Sequence, residues 1–250
     1  WPLSEVIRQI LYPYIEPVLE FSVVNTLTGT TYSESGTTAS LDFNWSIKTY
    51  ARDDNEIISD FLFREEVSNT IIKYGSSYSA IPGSVTFSSF NYSTYSVIGT
   101  KEFSFNVSNT PGATSFGYPF GYTFSAKDYI TWINPMFHGF STTLVTDSTS
   151  NKIVTDSIDK FVEPYRGTSH SYYLPYGGSG YFYFIHPSFP TNVKYIKDPN
   201  GFVIYDYNSP GNYSFTQSIY NHPDYTGSFK VWRTTATVSY AGVGEFEFIF

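Results

Sequence analysis

Apolar and polar residues alternate along Ala39–Ile47: Leu41, Phe43, Trp45 and Ile47 fall on one side, and Ser40, Asp42, Asn44 and Ser46 on the other. A period of two predicts a half-buried strand with Trp45 at its centre. Lys101–Val107 alternates in the same way. Phe21–Val24, Ile57–Phe63, Thr70–Tyr74 (ended by Gly75), Val85–Phe87 and Tyr95–Ile98 read as further strands, rich in β-branched and aromatic residues. Tyr122–Ile133 supplies the last strand of this segment, which ends at Asn134-Pro135. The period changes only near the start. Leu3, Val6, Ile7, Ile10 and Leu11 follow the i, i+3, i+4, i+7, i+8 spacing of one helical face. Ser4 is placed to cap this helix, Glu5 sits near its positive end, and Pro13 stops it after Tyr12. A helix of about two and a half turns is marginal alone, so its stripe is expected to pack on something. Tyr12–Pro17 then reads as a stiff extended connector.

The second half is organised around Tyr181–Ile185, five residues that all favour strands. Gly177, Gly178 and Gly180 precede the run as a flexible turn and Pro187 closes it, which predicts a strand of ordinary length. Phe182 and Phe184 are expected in a core. Tyr181 and Tyr183, on the other face, are expected at a half-wet surface with hydroxyls exposed. Val193, Tyr195 and Ile196 look like a second strand, and Asp198-Pro199-Asn200-Gly201 reads as a type I turn leading into Phe202–Tyr205. Phe137–Phe140 opens this unit. Thr155–Val162 could form one helical turn or two, with Thr155 or Asp156 capping. Phe229–Arg233 and Glu245–Phe250 are closing strands, the last pinned in a sheet. The fold class is all-β: two β-sandwich-type modules behind a short N-terminal helix, the first immunoglobulin-like. The boundaries are 1–17 for helix and connector, 18–134 for the first module and 135–250 for the second, aromatic-rich one.

Composition narrows the function classes. The chain has 250 residues, 20% aromatic and 14% charged, with 24 Tyr and 23 Phe, which is too much ring material for a disordered chain. A net charge of −8 disfavours nucleic acid as a partner, since binding it needs basic surface. No run of 18 apolar residues is present, so membrane insertion by a helix is not expected. With no Cys, disulfides, thiol catalysis and cysteinyl zinc sites are excluded. Residue 1 is Trp and no signal peptide is visible, so the chain is expected to be a fragment or a processed part of a longer protein.

Candidate chemistry is sparse. His138, His170, His186 and His222 lack the close spacing of a zinc motif and read as isolated structural or surface histidines. Asp53-Asp54-Asn55-Glu56 lacks the spacing and glycine of a calcium loop and reads as a solvated tip. Glu245 and Glu247 share a strand face. A carboxylate pair can hydrolyse glycosides, but a polar outer face opposite Phe246, Phe248 and Phe250 explains them more simply. No nucleophile elbow or phosphate loop is present. No catalytic, cofactor-binding or metal residue is assigned. Exposed rings can stack on sugars, and Tyr172, Tyr173, Tyr176, Tyr118 and Phe120 are the candidates for a glycan or partner contact. Core packing or a subunit interface is the preferred reading of the same rings. Leu3, Val6, Ile7, Ile10 and Leu11 are the candidate assembly contact.

The segment Leu3–Tyr14, followed by Pro17, resembles a helix-plus-"YPY…P" element. That element precedes β modules in virion proteins of tailed bacteriophages of gut Bacteroidetes, the crAss-like group included. Leu41-Asp42-Phe43-Asn44-Trp45 resembles the "LNW" strand of the immunoglobulin-like module that follows there. Trp132–Gly139 is similar to the "NPxYYG" junction, from which this chain departs at Phe137-His138. Tyr181–Phe184 with Pro187, and Asp198–Phe202, are similar to the second module. The resemblance implies a non-enzymatic structural protein of the virion: a tail fibre, neck appendage or baseplate-proximal component. Its partners would be other virion proteins and copies of itself in a symmetric oligomer. It would reside on the particle and be extracellular when released. The resemblance transfers no catalytic residues. A receptor- or glycan-binding adhesin is the main rival, and a glycan depolymerase using Glu245 the lesser one.

Overall fold

Alternating apolar and polar residues become strands along most of the chain, and the fold is all-β and sandwich-type. The structure, a computed structural model, describes residues 3–11, 18–48, 57–79, 85–109, 123–167, 170–208 and 214–250. The connector Tyr12–Pro17, the acidic tip Asp53–Glu56 and the aromatic loop Tyr118–Tyr122 lie outside the described residues. The chain forms two compact units. One comprises Trp1–Ser33, Thr38–Tyr95 and Thr100–Thr131, and the other Glu34–Thr37, Ser96–Gly99 and Trp132–Phe250.

The first unit begins with helix α1 (Leu3–Leu11). Its strands are β1 (Val18–Asn25), β2 (Tyr32–Glu34), β3 (Thr37–Lys48), β4 (Ile57–Glu65), β5 (Thr70–Ser79), β6 (Val85–Ser96), β7 (Gly99–Asn109) and β8 (Thr123–Ile133), of which the end residues Glu34, Thr37, Ser96, Gly99, Trp132 and Ile133 group with the other unit. They form a three-stranded sheet, β1-β3-β6, and a five-stranded sheet, β2-β8-β7-β4-β5. Rings from the two sheets meet in the core. Phe43 of β3 lies 5.1 Å from Phe103 of β7, and Phe21 of β1 lies 6.1 Å from Phe105. Leu41, Phe43 and Ile47 are buried as the alternation requires, while Trp45 is partly exposed. Burying each such side chain contributes about 1.5–3 kcal/mol. At the free edge of β1, the Asp128 carboxylate on β8 accepts the Val23 N–H at 2.7 Å, which blunts that edge against further pairing. Val85–Phe87 and Tyr95–Ile98 are not separate strands. They merge into β6, which ends at Ser96, and Val97 and Ile98 form the exposed bend into β7.

The second unit adds β9 (Met136–Ser141), α2 (Ser148–Thr155), β10 (Asp159–Phe161), β11 (Ser171–Pro187), β12 (Tyr195–Lys197), β13 (Val203–Asp206), β14 (Phe215–Asn221), β15 (Ser228–Thr234) and β16 (Val238–Ile249). Strand β11 organises it, at 17 residues rather than the ordinary length expected. Its first part, Ser171–Gly180, pairs with β16. Its second part, Tyr181–Pro187, lies between β9 and β15. The glycines expected to form a turn are the corner where the strand changes partners, with a bulge between Tyr176 and Gly178. Gly180 adopts φ +126°, and a Cβ there would stand 2.7 Å from the Ser141 carbonyl oxygen, so only glycine lets the two backbones approach.

The tyrosine face of β11 is also corrected. Phe182 and Phe184 enter one core cluster, with Trp232, Phe246 and Phe248. Tyr183 and Ile185 enter a second, with Phe137, Val145, Val154 and Phe229. Val154 of α2 and Val145 cover this face, so Tyr183 is fully buried. Its hydroxyl donates to the Thr143 carbonyl at 2.9 Å and accepts the Val145 N–H at 3.3 Å, as a buried phenol requires. Tyr181 remains part-exposed beneath the Arg233 guanidinium, 5.3 Å from its ring. The predicted helix also moves. Thr155 and Asp156 end α2 rather than start it, and Asp159–Phe161 is strand β10. The Asp198–Gly201 turn forms, closed by Gly201 N–H donating to Asp198 O at 2.9 Å.

Candidate functional site

Of the five rings expected to form a contact, the described side chains are those of Tyr172 and Tyr173, and they fall on opposite faces of β11. Tyr172 is 4% exposed, with its ring against Phe161, Phe184 and Phe250, and burial pushes its phenol up to about 12. A buried ring offers no face to a sugar, so Tyr172 leaves the candidate surface. Tyr173, on the opposite face of β11, is exposed and donates its hydroxyl to Glu247 at 3.0 Å. Tyr176 lies at the bulge of β11, and Tyr118 and Phe120 lie outside the described residues. Glu247 also accepts Lys197 Nζ at 3.0 Å. Burial pulls its carboxyl up, but hydrogen bonds from Lys197, Ser171 and Tyr173 outweigh this and hold it low. Glu245 and Glu247 therefore line an outer face opposite the buried Phe246, Phe248 and Phe250. By contrast, α1 does gather Leu3, Val6, Ile7, Ile10 and Leu11 into one stripe. It stays exposed, from 41% at Val6 to 74% at Leu3 and Ile10.

A different cluster is denser. It lines a cleft of about 390 Å³ in the second unit, where the end of α2 meets the turn between β14 and β15. The helix is started by a capping box: Asp147 accepts the Ser150 N–H at 2.7 Å, and Ser150 Oγ accepts the Asp147 N–H at 3.0 Å. That start fixes Lys152, Thr155 and Asp156 at the other end. The turn begins at His222, whose Nδ1 accepts the Asp224 N–H at 3.1 Å. Nε2 therefore carries the ring proton and donates to Thr155 Oγ1 at 2.8 Å, while that hydroxyl donates to Lys152 O at 3.0 Å. Burial holds the His222 imidazole below its ordinary range, in keeping with this neutral form.

Rings support the turn. His222 lies parallel to Phe137, 5.9 Å away, and 4.8 Å from Tyr225. Burial and then Glu34 raise the Tyr225 phenol, which donates to Glu34 at 2.6 Å. Glu34 belongs to the same unit and also accepts Lys160 Nζ at 2.8 Å. Lys152 binds Asp224 and, at 3.3 Å, Asp156. Its hydrogen bond is the main reason the Asp224 carboxyl is held low. Every ionised group thus faces an opposite one, and both His222 nitrogens are engaged. This is the chemistry of a preorganised polar wall. Among the described residues no three His, Cys, Asp or Glu side chains group as a metal site.

No family model, no curated protein and no solved structure matches this chain. The cleft is not legible in the sequence, because its parts lie far apart along the chain. The one local signal was the crowding of His222-Pro223-Asp224-Tyr225 into a turn between two strands.

Proposed function

We propose that this chain is a non-enzymatic structural component of a tailed-phage virion, a tail, fibre or neck appendage, that acts by assembly through its β modules. The observation that carries the reading is the α1 stripe: an amphipathic helix that leaves five large apolar side chains in water. Such a seam suits a bundle formed with the same helix of further copies, closed around a symmetry axis. The resemblance of Leu3–Tyr14 and of the two β segments to phage virion modules supports the same role, and the first unit's two-sheet core fits an immunoglobulin-like module. Copies of this chain and other virion proteins are the partners, and the particle is its location.

The test is the mass of the purified chain by light scattering, beside its incorporation into particles. The native chain should form a defined oligomer, and Ile7→Glu with Ile10→Glu should reduce it to a monomer that stays out of particles. A native chain that is monomeric and absent from particles would refute the role.

A further inference from the structure

We infer that the cleft bounded by Thr155, Asp156, Lys160, His222, Asp224 and Tyr225 is a binding site for an uncharged sugar, one or two pyranose units in size. The inference is independent of the assembly reading, since it holds for a monomer or an oligomer. Its volume, about 390 Å³, falls in the range of small-ligand clefts, roughly 300–1,000 Å³. The first unit has larger hollows, such as one of about 540 Å³ beside Glu20, Trp45 and Ser89. That one lies on β1, β3 and β6, where Ser46 Oγ donates to Glu20 at 2.9 Å, and no lysine or histidine stands among its described lining.

Three features specify the ligand. Tyr225 is a half-buried ring braced by His222, Phe229 and Phe137, with its hydroxyl tied to Glu34. A braced ring of this kind stacks on the apolar face of a pyranose at little entropic cost. Around it stand donors and acceptors at fixed positions. Lys160 donates from the wall itself, and Lys152 stands beside it, paired with Asp156 and Asp224, which keep lone pairs beyond those it uses. Their side chains are 39–61% exposed, so hydroxyls of a ligand can reach them. Finally, the charges are compensated locally. Two lysines face Glu34, Asp156 and Asp224, which leaves one net negative charge. A sialylated or sulfated sugar would meet Asp156 and Asp224 at the rim and be repelled. A neutral polyol replaces water at both kinds of group without burying an unpaired charge.

The experiment titrates the full chain with the methyl glycosides of mannose, galactose, glucose and N-acetylglucosamine. Saturation-transfer NMR and calorimetry are the readouts, and sialyllactose is the charged control. At least one neutral glycoside should bind saturably, with a Kd on the order of 0.1–1 mM. Tyr225→Ala should weaken it about tenfold or more, whereas Tyr225→Phe, which keeps the ring, should retain binding. Should Tyr225→Ala fail to fold, Asp224→Asn and Lys160→Gln replace exposed side chains and should each weaken binding. Failure of every neutral glycoside to bind overturns the proposal. So does preference for sialyllactose, or binding unmoved by all of these variants. An intact oligomer in that same sample would leave the assembly reading standing.

Discussion

Trp232 Nε1 donates to His186 Nε2 at 3.3 Å, in a core where both rings are fully buried. The other ring nitrogen, Nδ1, therefore holds the proton and donates to the Pro187 carbonyl at 2.6 Å. Burial drives this imidazole down to about 3, with the Lys230 ammonium adding to the effect and the Pro187 carbonyl opposing it.

This histidine should make the fold acid-sensitive. The unfolded chain takes up a proton near the ordinary histidine value of about 6.5, and the folded chain does not until about 3. Stability is therefore fully present above about pH 6.5 and falls as pH drops toward about 3, by up to about 1.4 kcal/mol per pH unit. Burial lowers His138 and His222 as well, which adds in the same direction. Urea unfolding at a series of pH values checks this. His186→Gln should flatten the slope, and a native chain equally stable at about pH 7 and about pH 4 would contradict it.

Gly180→Ala should cost about 3 kcal/mol or more, since its Cβ would strike the Ser141 carbonyl in a backbone of φ +126°. Gly201→Ala, at φ +83° with nothing within 4 Å, should cost only about 1 kcal/mol. Paired denaturation curves separate a clash from mere backbone strain.

Phe184→Ala should cost about 3–5 kcal/mol, because the ring is fully buried 4.8 Å from Phe248 and the cavity cannot collapse easily. Tyr173→Ala, on an exposed face of the same strand, should leave the unfolding midpoint near the native one. Equal losses would mean that the two faces of β11 had been assigned wrongly.

Ile7→Glu with Ile10→Glu should leave the unfolding midpoint of the β units unchanged, because both side chains are already exposed. Oligomer mass by sedimentation should nonetheless fall. A drop in midpoint together with unchanged mass would show that the stripe packs on its own chain.

How much could be read beforehand depends on how local the cause is. Leu41, Phe43 and Ile47 were legible as core, and Glu245 and Glu247 as an outer face, because a strand separates neighbours onto opposite sides. The Asp198–Gly201 turn was legible because Pro and Gly dictate its dihedrals. Helix α2 is not legible from spacing, because Ser-Thr-Ser-Asn gives weak apolar periodicity and its capping signal sits at Asp147 and Ser150.

The amino-acid order by itself determined an all-β chain: its strands, the stripe on α1 and the absence of cysteine chemistry all follow from spacing and residue type. Only tertiary packing decided that Tyr183 is core, that Gly180 is a corner, and that Thr155, Lys160, His222 and Tyr225 share one cleft. The reason is range. Periodicity fixes which way a side chain points from its own strand, but what it meets there is set by residues tens of positions away, brought in by the closing of the sheets.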